Sequence, residues 1–154
     1  MVLKGETRTT PEMPPTIIPE LQNRSIISVV HSHSYPGFLN SSHFSALTSS
    51  GKLLTWGEYS EGALGLGDPG KLPAGSPGGY AKEEQRVRAL ARTYYTPPPE
   101  VTVPTEVRFD HGLRSEGKVE RYCFAMAAGG LHMGALVIDL GGDEVPPEDL
   151  KQYV

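Results

Sequence analysis

Cysteine is almost absent from this chain. Cys123 stands alone among 154 residues, so no internal disulfide framework can form, and a reducing cytoplasmic or nuclear location is expected. Long apolar runs are missing too. The longest, Gly134 to Leu140, is too short to span a bilayer and reads as a buried strand, and the N-terminus has no apolar secretion-signal core. Basic residues are outnumbered, with 14 Lys and Arg against 18 Asp and Glu and a formal charge of -4. Phosphate backbones are bound by clustered Lys and Arg, so neither nucleic acid nor a membrane is expected as a partner, and protein is. No G-x-S-x-G elbow, HExxH helix or cysteine signature occurs, and the carboxylates are scattered. The expectation is a chain that is not an enzyme, with no catalytic, cofactor-binding or metal-binding residues.

Glycine (18) and proline (14) are plentiful, together above a fifth of the chain, while 38% of residues are hydrophobic. That combination fits turn-dense β structure around a core. It is most concentrated between residues 43 and 68. His43 to Thr48 is a short apolar run ended by Ser49-Ser50-Gly51, and Lys52 to Trp56 is a run of β-formers ended by Gly57, which is the pattern of a hairpin. Gly51 can take the positive φ the turn requires, with Leu54 and Trp56 on one face and Leu53 and Thr55 on the other. Gly62, Gly65 and Gly67 then interleave with Leu64 and Leu66, so the backbone turns repeatedly while leucines anchor the turns.

The spacing of Leu47, Thr48, Gly51, Leu53, Trp56, Gly57, Gly62, Leu64, Gly65, Gly67 and Asp68 resembles the repeat of the regulator of chromosome condensation family, whose repeats build β-propellers. The resemblance implies an all-β fold: a partial β-propeller of about two incomplete blades, a fragment of a seven-bladed ring, with one inserted surface helix. It implies structural repeat roles for His43, Gly51, Trp56, Gly57, Gly62, Leu64, Gly65, Gly67 and His132. The wording Leu-Thr-Ser-Ser-Gly-Lys-Leu-Leu-Thr-Trp-Gly at 47–57 is most similar to the C-terminal blades of fungal F-box proteins carrying this propeller. That similarity implies the substrate-recognition part of a cullin-type ubiquitin ligase. Its partners would be a protein substrate and a ligase linker subunit, the latter docked through an F-box not found in these residues. A guanine-nucleotide exchange factor for a small GTPase is the other role the resemblance implies.

Along the chain, residues 1–13 read as a disordered stub, 14–140 as the repeat region with an insertion at 69–103, and 141–154 as an acidic tail. Pro14 to Leu21 reads as an extended edge segment, Ile26 to Val30 as a strand, and the stretch up to His43 as a polar loop where the family has a short turn. In the insertion, Ala81 to Arg92 has helix-forming composition with Val87, Leu90 and Tyr94 at helical spacing, and Pro97-Pro98-Pro99 forbids continuation. Pro104 to Val107 opens a second unit that echoes Pro15 to Ile18. His132-Met133-Gly134-Ala135-Leu136 echoes His43-Phe44-Ser45-Ala46-Leu47, and both pairs are offset by 89 positions. That offset predicts an internal repeat. Phe109 to Arg121 reads as a loop, and Tyr122 to Ala128 and Leu131 to Leu140 as strands.

Four groups of residues are weighed as sites. Gly65 to Lys71 has the letters of a phosphate loop, but Leu72 and Pro73 follow where a magnesium-binding hydroxyl and a helix are needed. His31 and His33 have metal-ligand spacing without an accompanying cysteine or carboxylate, so a polar loop is expected. His43 and His132 recur in the repeat, which predicts architecture, each imidazole bonding a backbone carbonyl. Arg86, Arg88, Arg92, Tyr94 and Tyr95 combine the residue types that anchor protein interfaces, and they are expected to bind the partner.

Overall fold

The computed structural model describes residues 16–33, 42–58, 62–91, 97–109, 120–130 and 132–140. Strands dominate. β1 (Ile26–His33), β2 (Ser42–Thr48), β3 (Leu53–Gly57) and β4 (Val101–Glu106) form a four-stranded antiparallel sheet whose spatial order follows the sequence. β5 (Glu120–Gly129) and β6 (His132–Leu140) form a separate antiparallel pair, and α1 (Glu83–Leu90) is the one α-helix among the described residues. An all-β architecture with one inserted helix is therefore present.

The hairpin of β2 and β3 is the centre of the core, and every residue of β3 is buried. Gly51 adopts φ +75° in its turn, while the Thr48 hydroxyl accepts from the Lys52 amide at 3.0 Å. Pairing of Phe44 with Trp56 and of Ala46 with Leu54 sets one face, on which the His31, Phe44 and Trp56 rings form a stack. Ser45 with Thr55 and Leu47 with Leu53 set the other face. The alternation expected for Leu53 to Trp56 is present, but both faces are covered, so the strand is uniformly buried instead of half-wet.

The β5–β6 pair lies against the face carrying Ser45. The Cys123 amide donates to the Gly51 carbonyl (2.9 Å) and the Tyr122 hydroxyl to the Ser49 carbonyl (3.0 Å). The Ser32 hydroxyl reaches the Gly130 carbonyl at 2.7 Å, and the Ser45 hydroxyl reaches the Met126 sulfur at 3.4 Å. Cys123 is fully buried in this seam, and desolvation raises its thiol pKa, which keeps it protonated and unreactive.

The two hairpins are structural repeats. In β1–β2, a bulge falls between Ile26 and Ser28, opposite Thr48 and Leu47. In β5–β6, a bulge falls between Cys123 and Ala125, opposite Val137 and Leu136. Val137 and Leu136 are the positions 89 residues beyond Thr48 and Leu47, so the echo in sequence is an echo in register.

Several boundaries differ from expectation. Pro19–Leu21 is a 3-10 turn instead of extended chain, because the Leu21 and Gln22 amides donate locally to the Ile18 and Pro19 carbonyls. β1 runs on to His33, so His31 and His33 lie on a strand. Val101–Glu106 is the fourth strand of the first sheet and not the opening of a second unit, so the first sheet has a full four strands and the insertion ends before Val101. α1 is eight residues long, shorter than the span with helix-forming composition. Gly134 to Leu140 is not buried: Leu136 and Ile138 are 59% and 47% exposed, because no described segment covers the outer face of β6. The stub at 1–13, the tail at 141–154 and Leu131 lie outside the described residues.

Gly51 carries a double constraint, since a Cβ there would sit 2.3–2.7 Å from the Tyr122 ring as well as at positive φ. Gly51→Ala is expected to cost roughly 2–3 kcal/mol of stability, about half of it from the backbone strain. In denaturant melts, Gly51→Ala combined with Tyr122→Ala should lose clearly less than the sum of the singles; strict additivity would mean that the ring does not press on the turn. Trp56, 4% exposed against Phe44, should cost about 3–5 kcal/mol as Trp56→Ala in the same assay.

Candidate partner-binding surface

The residues expected to bind a partner are distributed differently from the expectation. Lys82 caps helix α1, its amide donating to the Gln85 side-chain oxygen at 3.0 Å, and Glu83 and Glu84 sit in the first turn where the helix dipole favours them. Arg86 turns back along the helix. Its guanidinium donates to the Glu83 carboxylate (2.9 and 2.5 Å) and to the Gly70 carbonyl (2.8 Å), and the hydrogen bonding to Arg86 lowers the Glu83 pKa. Arg86 is thereby a staple between α1 and the 68–72 turn, not a projecting anchor. Arg88 is exposed; Arg92, Tyr94 and Tyr95 lie outside the described residues. Beside Arg88 the helix presents Val87 and Leu90, 52% and 57% exposed.

A cleft of about 360 Å³ opens at the seam between the sheets. Its walls are Leu53 and Thr55 from β3, the Gly62–Gly65 turn, Val107 to Phe109 after β4, and Met133 to Ala135 with Val137 from β6. Each wall has a local cause. Gly62 and Gly65 take φ +98° and +64°, which lets the turn fold back over β3. The buried Thr55 hydroxyl holds it there by donating to the Leu64 carbonyl at 2.8 Å. Val107 is fixed by its amide, which donates to the Leu53 carbonyl at 2.8 Å. The result is a mostly apolar groove with backbone polar groups at one wall and Arg108 exposed at the rim, the type of lining that takes side chains of a bound segment. Sequence reasoning gave Gly62, Leu64 and Gly65 structural roles but missed the cleft, which exists only where β6 faces the turn.

The repeat positions sit where architecture needs them, though not always for the reason expected. Gly57 has φ +114°, and a Cβ there would lie 2.4 Å from the Ser42 carbonyl oxygen, so only glycine allows this strand pairing. Gly67 takes φ +106°, and Leu64 is buried. His43 is fully buried but neither ring nitrogen completes a hydrogen bond. The backbone of His132 approaches it and offsets part of the desolvation, yet the geometry falls short of the carbonyl bond expected. His132 is exposed. His31 and His43 point to opposite faces, since His31 pairs with Phe44 and Ser32 with His43. Among the described residues, no group of three His, Cys, Asp or Glu is arranged to hold a metal. Gly65 to Lys71 forms turns without a following helix, and Lys71 pairs with Asp68 at 3.7 Å. Among the described residues, no helix is long and apolar enough to cross a membrane.

Desolvation lowers the His43 pKa below 6.5, with the charges of His31 and His132 adding to the effect. The folded state therefore binds its proton more weakly than the unfolded state, so this contribution to stability is complete above pH 6.5 and declines as pH falls toward the folded pKa. Thermal melts between pH 8 and 5 should show a fall below pH 6.5 that is shallower in His43→Gln; equal slopes would separate acid sensitivity from this imidazole.

Comparison with known proteins finds no matching family model, no matching curated protein and no matching solved structure.

Proposed function

We propose that this chain is a protein-binding module built from β-propeller blades of the chromosome-condensation-regulator type, and that it serves as the substrate-recognition part of an F-box subunit of a cullin-type ubiquitin ligase. The observation that carries the binding role is the apolar cleft of about 360 Å³ at the seam between the sheets, with Arg108 at its rim. Blade construction is supported by the sequential four-stranded antiparallel sheet and by the repeated hairpin stacked on its face. The ligase role rests on the wording of residues 47–57, and the cleft supports its protein-binding part.

The cleft orders the candidate residues. Met133, Val107 and Phe109 offer apolar contact to a partner segment, and Arg108 offers a charge at the edge. The exposed Val87, Arg88 and Leu90 of α1 form a separate surface. A degradation adaptor needs a surface that holds protein without reacting with it, and an apolar groove with a charged rim meets that need.

Met133→Arg and Arg108→Glu test this reading in cells expressing the full-length protein. Substrate recovery by affinity capture should fall about tenfold, corresponding to ~1.4 kcal/mol, while recovery of the ligase linker subunit is unchanged and circular dichroism is unaltered. Unchanged substrate recovery with an intact fold would remove the cleft from the binding surface. Failure to recover any linker subunit with the parent protein would remove the ligase role.

A further inference from the structure

The register of the two hairpins identifies what the outer face of β5–β6 is built to meet. In the first hairpin, Ser32, His43, Ser45 and Leu47 face the second hairpin and are buried. Their equivalents by strand pairing are Gly129, His132, Gly134 and Leu136. All four are exposed. The face that touches Ser45 carries Met126, and the residue at the Met126 register in the first hairpin is Val29: Met126 pairs with Ala135 as Val29 pairs with Ala46, 89 positions earlier. Val29 is 48% exposed. One molecule thus displays both halves of the interface that it already makes internally, a receiving face on β6 and an inserting face on β1.

We propose that the outer face of the β5–β6 hairpin binds the β1 face of a second copy of this chain, in a head-to-tail contact that repeats the internal packing of the sheets. The second copy's Val29 would occupy the place over Gly134 that Met126 occupies over Ser45. Space is present for it, since a Cβ added at Gly134 would meet nothing within 4 Å. Leu136 (59% exposed) lies next along the same face and would be covered with it, as Leu47 is in the first hairpin. Because the two faces differ, the contact is heterologous, and one molecule can be engaged at both ends. The proposal rests on the repeat in register and not on the ligase reading.

Sedimentation of the purified chain across a hundredfold concentration range tests it. The parent should gain weight-average mass with concentration, whereas Leu136→Glu and Val29→Glu, both at exposed positions, should each stay monomeric with unchanged circular dichroism. Mixing the two variants in equal amounts should restore a 1:1 dimer, because each retains the face that the other has lost. Gly134→Lys, at an open site, should act like Leu136→Glu if either glutamate disturbs folding. A parent that is monomeric throughout, a Val29→Glu variant that self-associates alone, or a mixture that stays monomeric would each overturn the head-to-tail contact.

Discussion

The second hairpin hangs on the turn between β2 and β3. Gly51 presents its carbonyl to the Cys123 amide and leaves the space in which the Tyr122 ring lies, while the Tyr122 hydroxyl closes onto Ser49. Three contacts within four residues of chain thereby join segments about 70 positions apart in sequence. A glycine at positive φ is needed for the turn alone, but the absence of a Cβ serves the second purpose at the same position. Burial of Cys123 and Met126 and closure of the cleft all follow from β5 being held there.

Burial without full polar satisfaction marks the same seam. Ser45 finds a partner across it in Met126 and Thr55 finds one beside it in the Leu64 carbonyl, whereas His43 is enclosed with both nitrogens incomplete. Burial lowers the pKa of an imidazole in that setting and favours its neutral form. Its equivalent, His132, is covered by no hairpin among the described residues and is exposed. The contrast between two histidines in one repeat frame is a consequence of position in the stack, not of local sequence.

The internal repeat also clarifies what the exposed apolar residues mean. Scattered surface leucines need no explanation, but Leu136 occupies the place that, one hairpin earlier, Leu47 holds in the protein interior. The partner cleft and this face adjoin at Gly134: the side chains of Met133, Ala135 and Val137 turn into the cleft, and Leu136 stands on the open face of the same strand. One strand therefore serves two surfaces.

The amino-acid sequence by itself determined the β2–β3 hairpin, its two faces, the need for glycine at position 51, and the echo between His43 and His132. These are local: turn chemistry and period-two alternation act over a few residues. Only the tertiary structure decided that Val101–Glu106 completes the first sheet, because the long insertion separates it from the strand it pairs with. It also decided that Arg86 is spent on Glu83 and Gly70, that His43 is buried without a carbonyl partner, and that β6 has one covered and one open face. Composition cannot distinguish a strand packed on both sides from one packed on a single side, since both call for the same aliphatic residues; the difference lies in which other segment arrives to cover them.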